Sequence, residues 1–425
     1  MPSTNPGTMG WRQRVASPRI EQLRHELHTS PGAVDDFWAS VAAIGAPLIE
    51  TLPGDSQGRC VTFLYRDLHG ELEHVALCHN LVFNDFGKNL LTRVGSSDVF
   101  ALSLRLPANT RTAYVLSPDD PLSSLMVEDV SIADRCHAWQ PDALNRSGFA
   151  VPVNDWQPEA RSDAFSLLEL PGSTPVVWSG PPTSGEEPPD IRPLIHDSAR
   201  TEPRRVWYVR VGEEAPERVI VALDGWDLIH IARFPWVLAR LYRSRLIPPV
   251  VAALVDCGTS RMRWNDYFGS PKHSDYLANE VVPAVAAYAG VEPDPVKTAI
   301  YGLSAGGLTA LATAFRHPSV FGNAISQAAP AMLRGDDLPD GIVGEARSAA
   351  RDRLPRVHLQ AGSLEVDNIW GGQILESNRE LARSLATAGF DVAFDEEPCA
   401  HDYVHFGESV VNALLRLLSR PPSDR

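Results

Sequence analysis

Basic residues are scarce. Lys and Arg number 38 against 53 Asp and Glu, a formal net charge of −15 over 425 residues. A surface of that sign repels a phosphate backbone, which excludes a general nucleic-acid binder and leaves only a local basic pocket open. Long hydrophobic runs are missing too. The best stretches, Ile247–Val255 and Val281–Val291, are short and carry proline, well below the ~18–20 apolar residues that span a bilayer; no membrane partner is expected. The first 21 residues lack the apolar stretch of a secretory leader. Five cysteines (Cys60, Cys78, Cys136, Cys257, Cys399) lie far apart with no CxxC pair. That excludes a disulfide framework and argues against structural zinc; reduced thiols in the cytoplasm are the expectation. There is no internal repeat and no heptad pattern. Apolar residues at 44% and charged residues at 21% exclude disorder of the whole chain.

Proline is abundant at 35 residues, which predicts long loops, and the length predicts two or three domains. Residues 1–18 read as a disordered tail. A helix is expected from Ser17 into the thirties, with Ile20, Leu23 and Leu27 at helical spacing. A second, Asp35–Gly45, should pack Phe37, Trp38, Val41 and Ile44. From Pro47 to Trp178 short β-rich segments recur, namely Cys60–Tyr65, His74–Leu77, Val99–Leu106, Thr112–Ser117 and Ser166–Leu170, with turn residues between them. That rhythm predicts a β-sandwich domain over residues 19–178. SGPPTSGEEPPD, residues 179–190, reads as a linker. A catalytic domain is expected over 191–421. Its strand candidates are Val206–Val211, Val219–Leu223, Val250–Val255, Thr298–Tyr301, Ala324–Ser326, Val357–Ala361 and Val392–Glu396. Helical stretches separate most of them, including Phe234–Arg243, Tyr276–Tyr288, Gly306–Arg316, Gln373–Ala388 and Gly407–Leu418. The alternation predicts an α/β fold with a doubly wound, mostly parallel sheet, whose chemistry sits at the carboxyl ends of the strands.

One motif carries chemistry. Gly302-Leu303-Ser304-Ala305-Gly306 follows the strand Thr298–Tyr301 and opens a helix with Leu308, Leu311, Ala312 and Phe315 on one face. A GxSxG arises by chance on the order of 0.1 times in such a chain. Strand, sharp turn and helix together are the context of a nucleophile elbow. The glycines remove side chains that would collide across the turn. The Ala305 amide then points at the place where an oxyanion would form. An alcohol nucleophile needs a base, and the expected chain order is Ser, acid, His. His317 ends the helix and should face away; His358 lies within a strand. His401, in EEPCAHDYVHF just after the last strand, is where a base belongs, and His405 is a candidate substrate contact. This i, i+4 pair lacks a third ligand, so no metal is expected. The acid should follow the penultimate strand, in QAGSLEVDN. Glu365 is the first candidate and Asp367 the alternative; either could accept the Nδ1–H bond that fixes the tautomer. The second oxyanion donor should be the amide of Gly225 or Trp226, after Val219–Leu223. Gly225 would let the backbone approach the substrate. Asp224 would shape the turn. Trp226 would be either an aromatic wall or a packed rim residue.

These residues resemble the enterochelin (enterobactin) esterase family. The resemblance covers roughly residues 30–420. It rests on GAPLIE (45–50), VTFLYRD (61–67), SSDVFALSLRLP (96–107), PDALN (141–145), VALDG (221–225), NEVVP (279–283), YGLSAGG (301–307), HPSVFGNAISQ (317–327) and CAHDY (399–403). It implies an immunoglobulin-like domain before an α/β-hydrolase domain. It also implies a cytoplasmic serine esterase opening the trilactone of a ferric catecholate siderophore and releasing iron. The iron belongs to the substrate and no cofactor is implied. Carried over by position, Ser304 is the nucleophile, His401 the base and Glu365 the acid. The chain departs from the family pattern at Arg261–Asp266, at Ala328–Gly335 and at Val404-His405-Phe406, all where substrate should bind.

A ferric tris-catecholate is a trianion and the chain is acidic, so a local cluster must attract it. Arg261 and Arg263 beside Trp264 would supply charge and a stacking face. An acyltransferase or macrocyclising enzyme acting on another lactone or depsipeptide is the alternative chemistry. A non-catalytic binding protein would not need the elbow. Carbohydrate binding through Trp139 and Trp156 of the sandwich is a further reading. Monomer and homodimer are both left open.

Overall fold

The computed structural model describes residues 13–78, 89–120, 122, 138–156, 163–198, 201–349, 353–366 and 373–419. Helices α1 (Pro18–Glu26) and α2 (Ala33–Ile44) come first. Ser17 accepts the Ile20 N–H, and Pro18 occupies the first turn of α1, where a missing amide costs nothing. Ile20, Leu23, Phe37, Trp38 and Val41 pack on Leu48, Leu64 and Val99. Ile44, expected in that packing, is 61% exposed.

Eight strands follow: β1 (Leu48–Leu52), β2 (Asp55–Arg66), β3 (Val75–Cys78), β4 (Leu90–Arg93), β5 (Val99–Pro107), β6 (Arg111–Pro118), β7 (Gly148–Val151) and β8 (Asp163–Glu169). They form one antiparallel sheet in the order β1-β2-β5-β4-β3-β6-β8-β7. Phe63 of β2 meets Tyr114 of β6 edge-on, ring centroids 5.0 Å apart, although β5, β4 and β3 lie between them in that order. The sheet therefore curls over itself around Val61, Phe63, Leu77, Phe100, Leu102 and Tyr114. β3 covers only Val115–Pro118 of β6. On that edge the first half of β6 has no strand beside it among the described residues. The tail expected over residues 1–18 is shorter among the described residues: Val15 N–H donates to Ser103 O (3.1 Å) and Arg105 N–H to Gln13 O (2.9 Å).

The stretch expected as a free linker is anchored. Glu408 accepts the amides of Val177 (2.9 Å), Trp178 (3.0 Å) and Ser179 (2.8 Å) and the Ser179 hydroxyl (2.9 Å). Arg240 donates to the carbonyls of Trp178 (2.6 Å) and Gly180 (2.9 Å) and pairs with Glu186 (2.8 Å). Proline, glycine and serine make the segment irregular, but the buried Glu408 and the half-buried Arg240 from further along the chain supply the partners that its own backbone lacks.

The second sheet contains β9 (Asp190–His196), β10 (Arg204–Val211), β11 (Arg218–Leu223), β12 (Val250–Val255), β13 (Thr298–Leu303), β14 (Asn323–Gln327), β15 (Arg356–Gly362) and β16 (Val392–Glu397). The order is β16-β15-β14-β13-β11-β12-β10-β9. From β12 to β16 neighbours are parallel; β9 and β10 run antiparallel. Residues 212–217 are too few for the helical crossover that a parallel return requires, so β10 runs opposite to β11. β9 escaped the sequence reading because it is a polar edge strand with Pro193 in its middle. Between these strands run α3 (Gly225–His230), α4 (Phe234–Arg243), α5 (Ser260–Asp266), α6 (Pro271–Tyr276), α7 (Val282–Ala289), α8 (Ala305–Arg316), α9 (Gly341–Ser348) and α10 (Ile374–Thr387), and α11 (Tyr403–Leu418) follows β16. Tyr276, Val285, Leu311, Ile342 and Leu381 pack on one face of the sheet. Leu228, Phe234, Leu238, Val410 and Leu414 pack on the other.

A third core belongs to both sheets. The interior of the curled first sheet continues into Ala361, Leu364, Val366, Leu375 and Ala400. These residues flank the carboxyl ends of β15 and β16.

Candidate active site

Ser304 joins β13 to α8 with φ 59° and ψ −127°. A non-glycine residue held at positive φ stores on the order of 1–3 kcal/mol, so its surroundings must fix it. They do: Ser304 N–H donates to Gln327 O at 2.8 Å, and Leu308 N–H to Ser304 O at 3.1 Å. Gly302 is required by close approach, since a Cβ there would lie 2.2 Å from the Gly306 carbonyl oxygen. At Gly306 a Cβ would meet the Asp224 carboxylate at 3.0 Å. Ser304 is half-buried. The Ala305 amide opens α8, where first-turn N–H groups have no partner within the helix.

His401 and Glu365 come from the loops after β16 and β15. The Nδ1 of His401 is hydrogen-bonded to Oε1 of Glu365. Glu365 is buried at 3% exposure, and its Oε2 accepts the Gly362 amide at 2.5 Å. Both carboxylate oxygens are therefore satisfied, and the bond at Nδ1 leaves Nε2 of the imidazole for a second partner. Asp367 lies outside the described residues. Beneath Ser304 runs a buried polar chain. Tyr301 donates to Gln327 (2.6 Å), Gln327 to Gln360 (2.6 Å) and Gln360 to Glu397 (3.2 Å); Glu397 then meets His405 Nε2 at 3.0 Å. His405, expected as a substrate contact, is thus an interior residue at 4% exposure.

Asp224 precedes α3 in a left-handed conformation (φ 59°, ψ 52°). The amides of Gly225 and Trp226 open that short helix and have no partner within it. The Asp224 carboxylate is locked: Arg263 grips it with Nε at 2.9 Å and Nη2 at 3.0 Å, and Tyr403 donates its hydroxyl at 3.0 Å. The Asp224 amide donates to Tyr267 OH at 3.1 Å. Burial works against the Arg263 charge, but the Asp224 carboxylate outweighs it and holds the guanidinium pKa well above its ordinary value. Burial and the same carboxylate push the phenols of Tyr267 and Tyr403 up, so both stay protonated. Arg263, expected to bind substrate, is therefore engaged in setting the turn. Gly225 also has a different reason to be glycine. A Cβ there would lie 2.8 Å from Leu254 O and 3.0 Å from the Trp207 ring. Trp226 is packed, its ring 3.8 Å from that of His230 and under Arg205 at 5.2 Å. Arg205 also covers Trp156 at 5.3 Å, which assigns Trp156 to packing.

Two of the expected substrate contacts face outward. The Arg261 side chain is 79% exposed, its nearest acid being Glu202 at 4.0 Å. Trp264 is 55% exposed. It lines a cavity of about 480 Å³ with Phe268, Leu308, Leu333 and Arg334. The cavity brings together two of the stretches in which the chain departs from the family pattern. No helix among the described residues is long and apolar enough to cross a membrane, and no cluster of His, Cys, Asp or Glu among them could hold a metal.

Sequence reasoning assigned no task to Asp402, Arg111, Thr112 or Glu408. Asp402 carried one local signal: an aspartate immediately before an apolar helix is an N-cap pattern. Its other partners lie 290 residues away, beyond any local pattern.

Residues 204–417 match the family described as "Putative esterase", and residues 60–178 match "Enterochelin esterase, N-terminal". The chain is 24% identical to the iron(III) enterobactin esterase of Dickeya dadantii (strain 3937), an alignment covering 92% of this chain and 95% of that protein. It is likewise 24% identical to an iron(III) salmochelin esterase of Escherichia coli, over 93% of this chain and 96% of the relative. The crystal structure of ferric enterobactin esterase from Salmonella typhimurium superposes with a TM-score of 0.71 at 23% identity, covering 90% of this chain and 98% of that one.

Proposed function

The chain belongs to the enterochelin esterase family, and from that premise we propose that this carboxylic ester hydrolase opens the ester bonds of a catecholate trilactone siderophore by serine catalysis. The reading takes the curled antiparallel sheet as the immunoglobulin-like domain of 19–178 and the second sheet as the α/β-hydrolase domain of 191–421. Two observations support it: the buried Glu365 carboxylate on Nδ1 of His401, and a serine held at positive φ on a strand-to-helix elbow. Relatives named for enterobactin and salmochelin support the substrate class.

His401 Nε2 takes the hydroxyl proton as Ser304 Oγ attacks a lactone carbonyl. Glu365 holds the imidazole in the required tautomer and stabilises the imidazolium. The oxyanion is met by the Ala305 amide and by the amide of Gly225 or Trp226. Collapse expels the seryl hydroxyl of the opened ring, protonated by His401. Water, deprotonated by the same histidine, then releases a linear acid and frees Ser304. Iron travels with the substrate and takes no part in these steps. Arg261 and Trp264 are the groups left to meet an anionic catecholate arm.

The test is a mass-spectrometric time course with apo and ferric enterobactin beside Ser304→Ala. Wild type should convert trilactone stepwise to linear trimer, dimer and monomer. The variant should retain less than about 1% of that rate while still binding substrate. A variant that turns over at a substantial fraction of wild type removes Ser304 from the role.

A further inference from the structure

The loop that carries His401 is held partly from outside its own domain. Residues 398–402 connect β16 to α11. Within the hydrolase fold the loop is tied by Cys399 N–H to Glu397 O (2.8 Å), Asp402 N–H to Ala400 O (3.1 Å) and Leu364 N–H to Cys399 O (3.1 Å), and Cys399 packs on Leu303 and Phe406. Further support comes from β6. Among the described residues, β3 pairs with β6 only over Val115–Pro118. Alternate residues of a strand point their amides to the same edge. Here Arg111 N–H donates to Pro398 O at 3.4 Å and Ala113 N–H to Asp402 Oδ2 at 3.2 Å. Thr112 Oγ1 donates to the same Oδ2 at 2.5 Å, and Arg111 Nη1 donates to Val404 O at 2.8 Å. His401 thus lies between two anchor points, residues 398 and 402, both fixed to a strand some 290 positions earlier.

Asp402 is the joint. Its Oδ1 caps α11 through Val404 N–H (3.0 Å) and His405 N–H (3.1 Å), while its Oδ2 faces β6. It is 4% exposed, so each of these donors offsets a desolvation cost that solvent does not meet. Packing adds to this: Ala400, just before His401, and Leu364 and Val366, on either side of Glu365, lie in the sandwich core.

We infer that the edge of β6, through Thr112 and Asp402, sets the position of His401 against Glu365, making the N-terminal domain a positioning part of the catalytic apparatus. This rests on the reading of His401 and Glu365 as base and acid. The edge touches no reacting atom; it acts through the loop. A displacement of about 1 Å at a catalytic group is worth on the order of a hundredfold in rate, so a modest relaxation of the joint is readable.

The experiment compares full-length wild type with Thr112→Val and Thr112→Ser on two substrates, enterobactin and a small aryl ester too small to span the domains. Thr112→Val removes the hydroxyl without changing shape. It should lower kcat on both substrates by about tenfold or more with KM nearly unchanged, and Thr112→Ser should restore the rate. In a Glu365→Gln background the loss from Thr112→Val should shrink, because the pair it positions is already broken. If Thr112→Val does not fold, Asp402→Asn serves the same comparison, since asparagine still caps α11. An aryl-ester kcat within about twofold of wild type would overturn the inference, as would a loss confined to enterobactin KM. Ser304→Ala in parallel separates the two failures. Activity surviving there sinks the reading of the site, while activity lost there and kept in Thr112→Val sinks only the role of β6.

Discussion

At the scale of single residues, the site spends charge on geometry. Arg263 was the natural candidate for an anionic substrate, yet it lies half-buried against Asp224. The pair is neutral overall and fixes the left-handed turn before Gly225. Under the proposed reading, attraction for an anionic substrate then rests on exposed groups such as Arg261, which solvent screens. Asp227, in the first turn of α3, belongs to the same acidic neighbourhood. Burial, then the nearby Asp224, push its carboxyl from 3.8 up to about 7. A raised carboxylate pKa means that the folded chain keeps a proton that the unfolded chain has already released. Its contribution to stability is present at acid pH and is lost as pH rises from about 4 to about 7. Asp227→Asn should therefore flatten the pH dependence of unfolding across that window and gain relative to wild type at its alkaline end. Chemical denaturation of both proteins at a series of pH values decides this; parallel curves would show that Asp227 does not titrate there.

At the scale of elements, the anchored segment 177–190 makes the sharpest prediction. Glu408 projects from α11 and accepts from the backbone of residues 177, 178 and 179. Glu408→Gln would turn one accepting oxygen into a donor that faces an amide. A buried hydrogen bond to a charged group is worth about 2 kcal/mol. The variant should lose stability of that order and become cleavable in the 177–190 stretch under limited proteolysis. Unchanged proteolysis would mean that Arg240 alone holds the segment.

How much of this was legible in sequence follows from range. The GxSxG turn, its strand and its helix are contiguous, and the periodicity of α8 identified them. The order of strands singled out His401 and Glu365, which the fold brings into a hydrogen bond. The segment 179–190, by contrast, has a linker's composition and looked unattached because Glu408 and Arg240 lie far along the chain. His405 was misplaced for a related reason. Helical spacing puts it one turn past His401, but only the fold shows that this turn faces inward to Glu397. β9 was missed because a polar edge strand containing proline has no hydrophobic alternation to display.

At the scale of the whole molecule, the interior of the first sheet and the loops of Glu365 and His401 share one core, and β6 is bonded to the loop before α11 and to its first turn. Domains joined in this way should not unfold separately. Calorimetry on the full chain should give a single cooperative transition, with calorimetric and van't Hoff enthalpies in agreement. Two resolved transitions would show that the shared core contributes little.

The anchoring of residues 177–180 bears on how a bulky ligand gets in. A hinge needs a few residues free to change φ and ψ without breaking contacts. Here the covalent crossing between the two bodies is clasped by Glu408 from one side and by Arg240 from another. Clamshell opening would have to break those bonds and pull Asp402 off β6 at the same time. Under the proposed reading of the site, entry and exit then fall to exposed side chains such as Trp264 and Arg261, and turnover becomes sensitive to their mobility more than to the swing of one domain against the other.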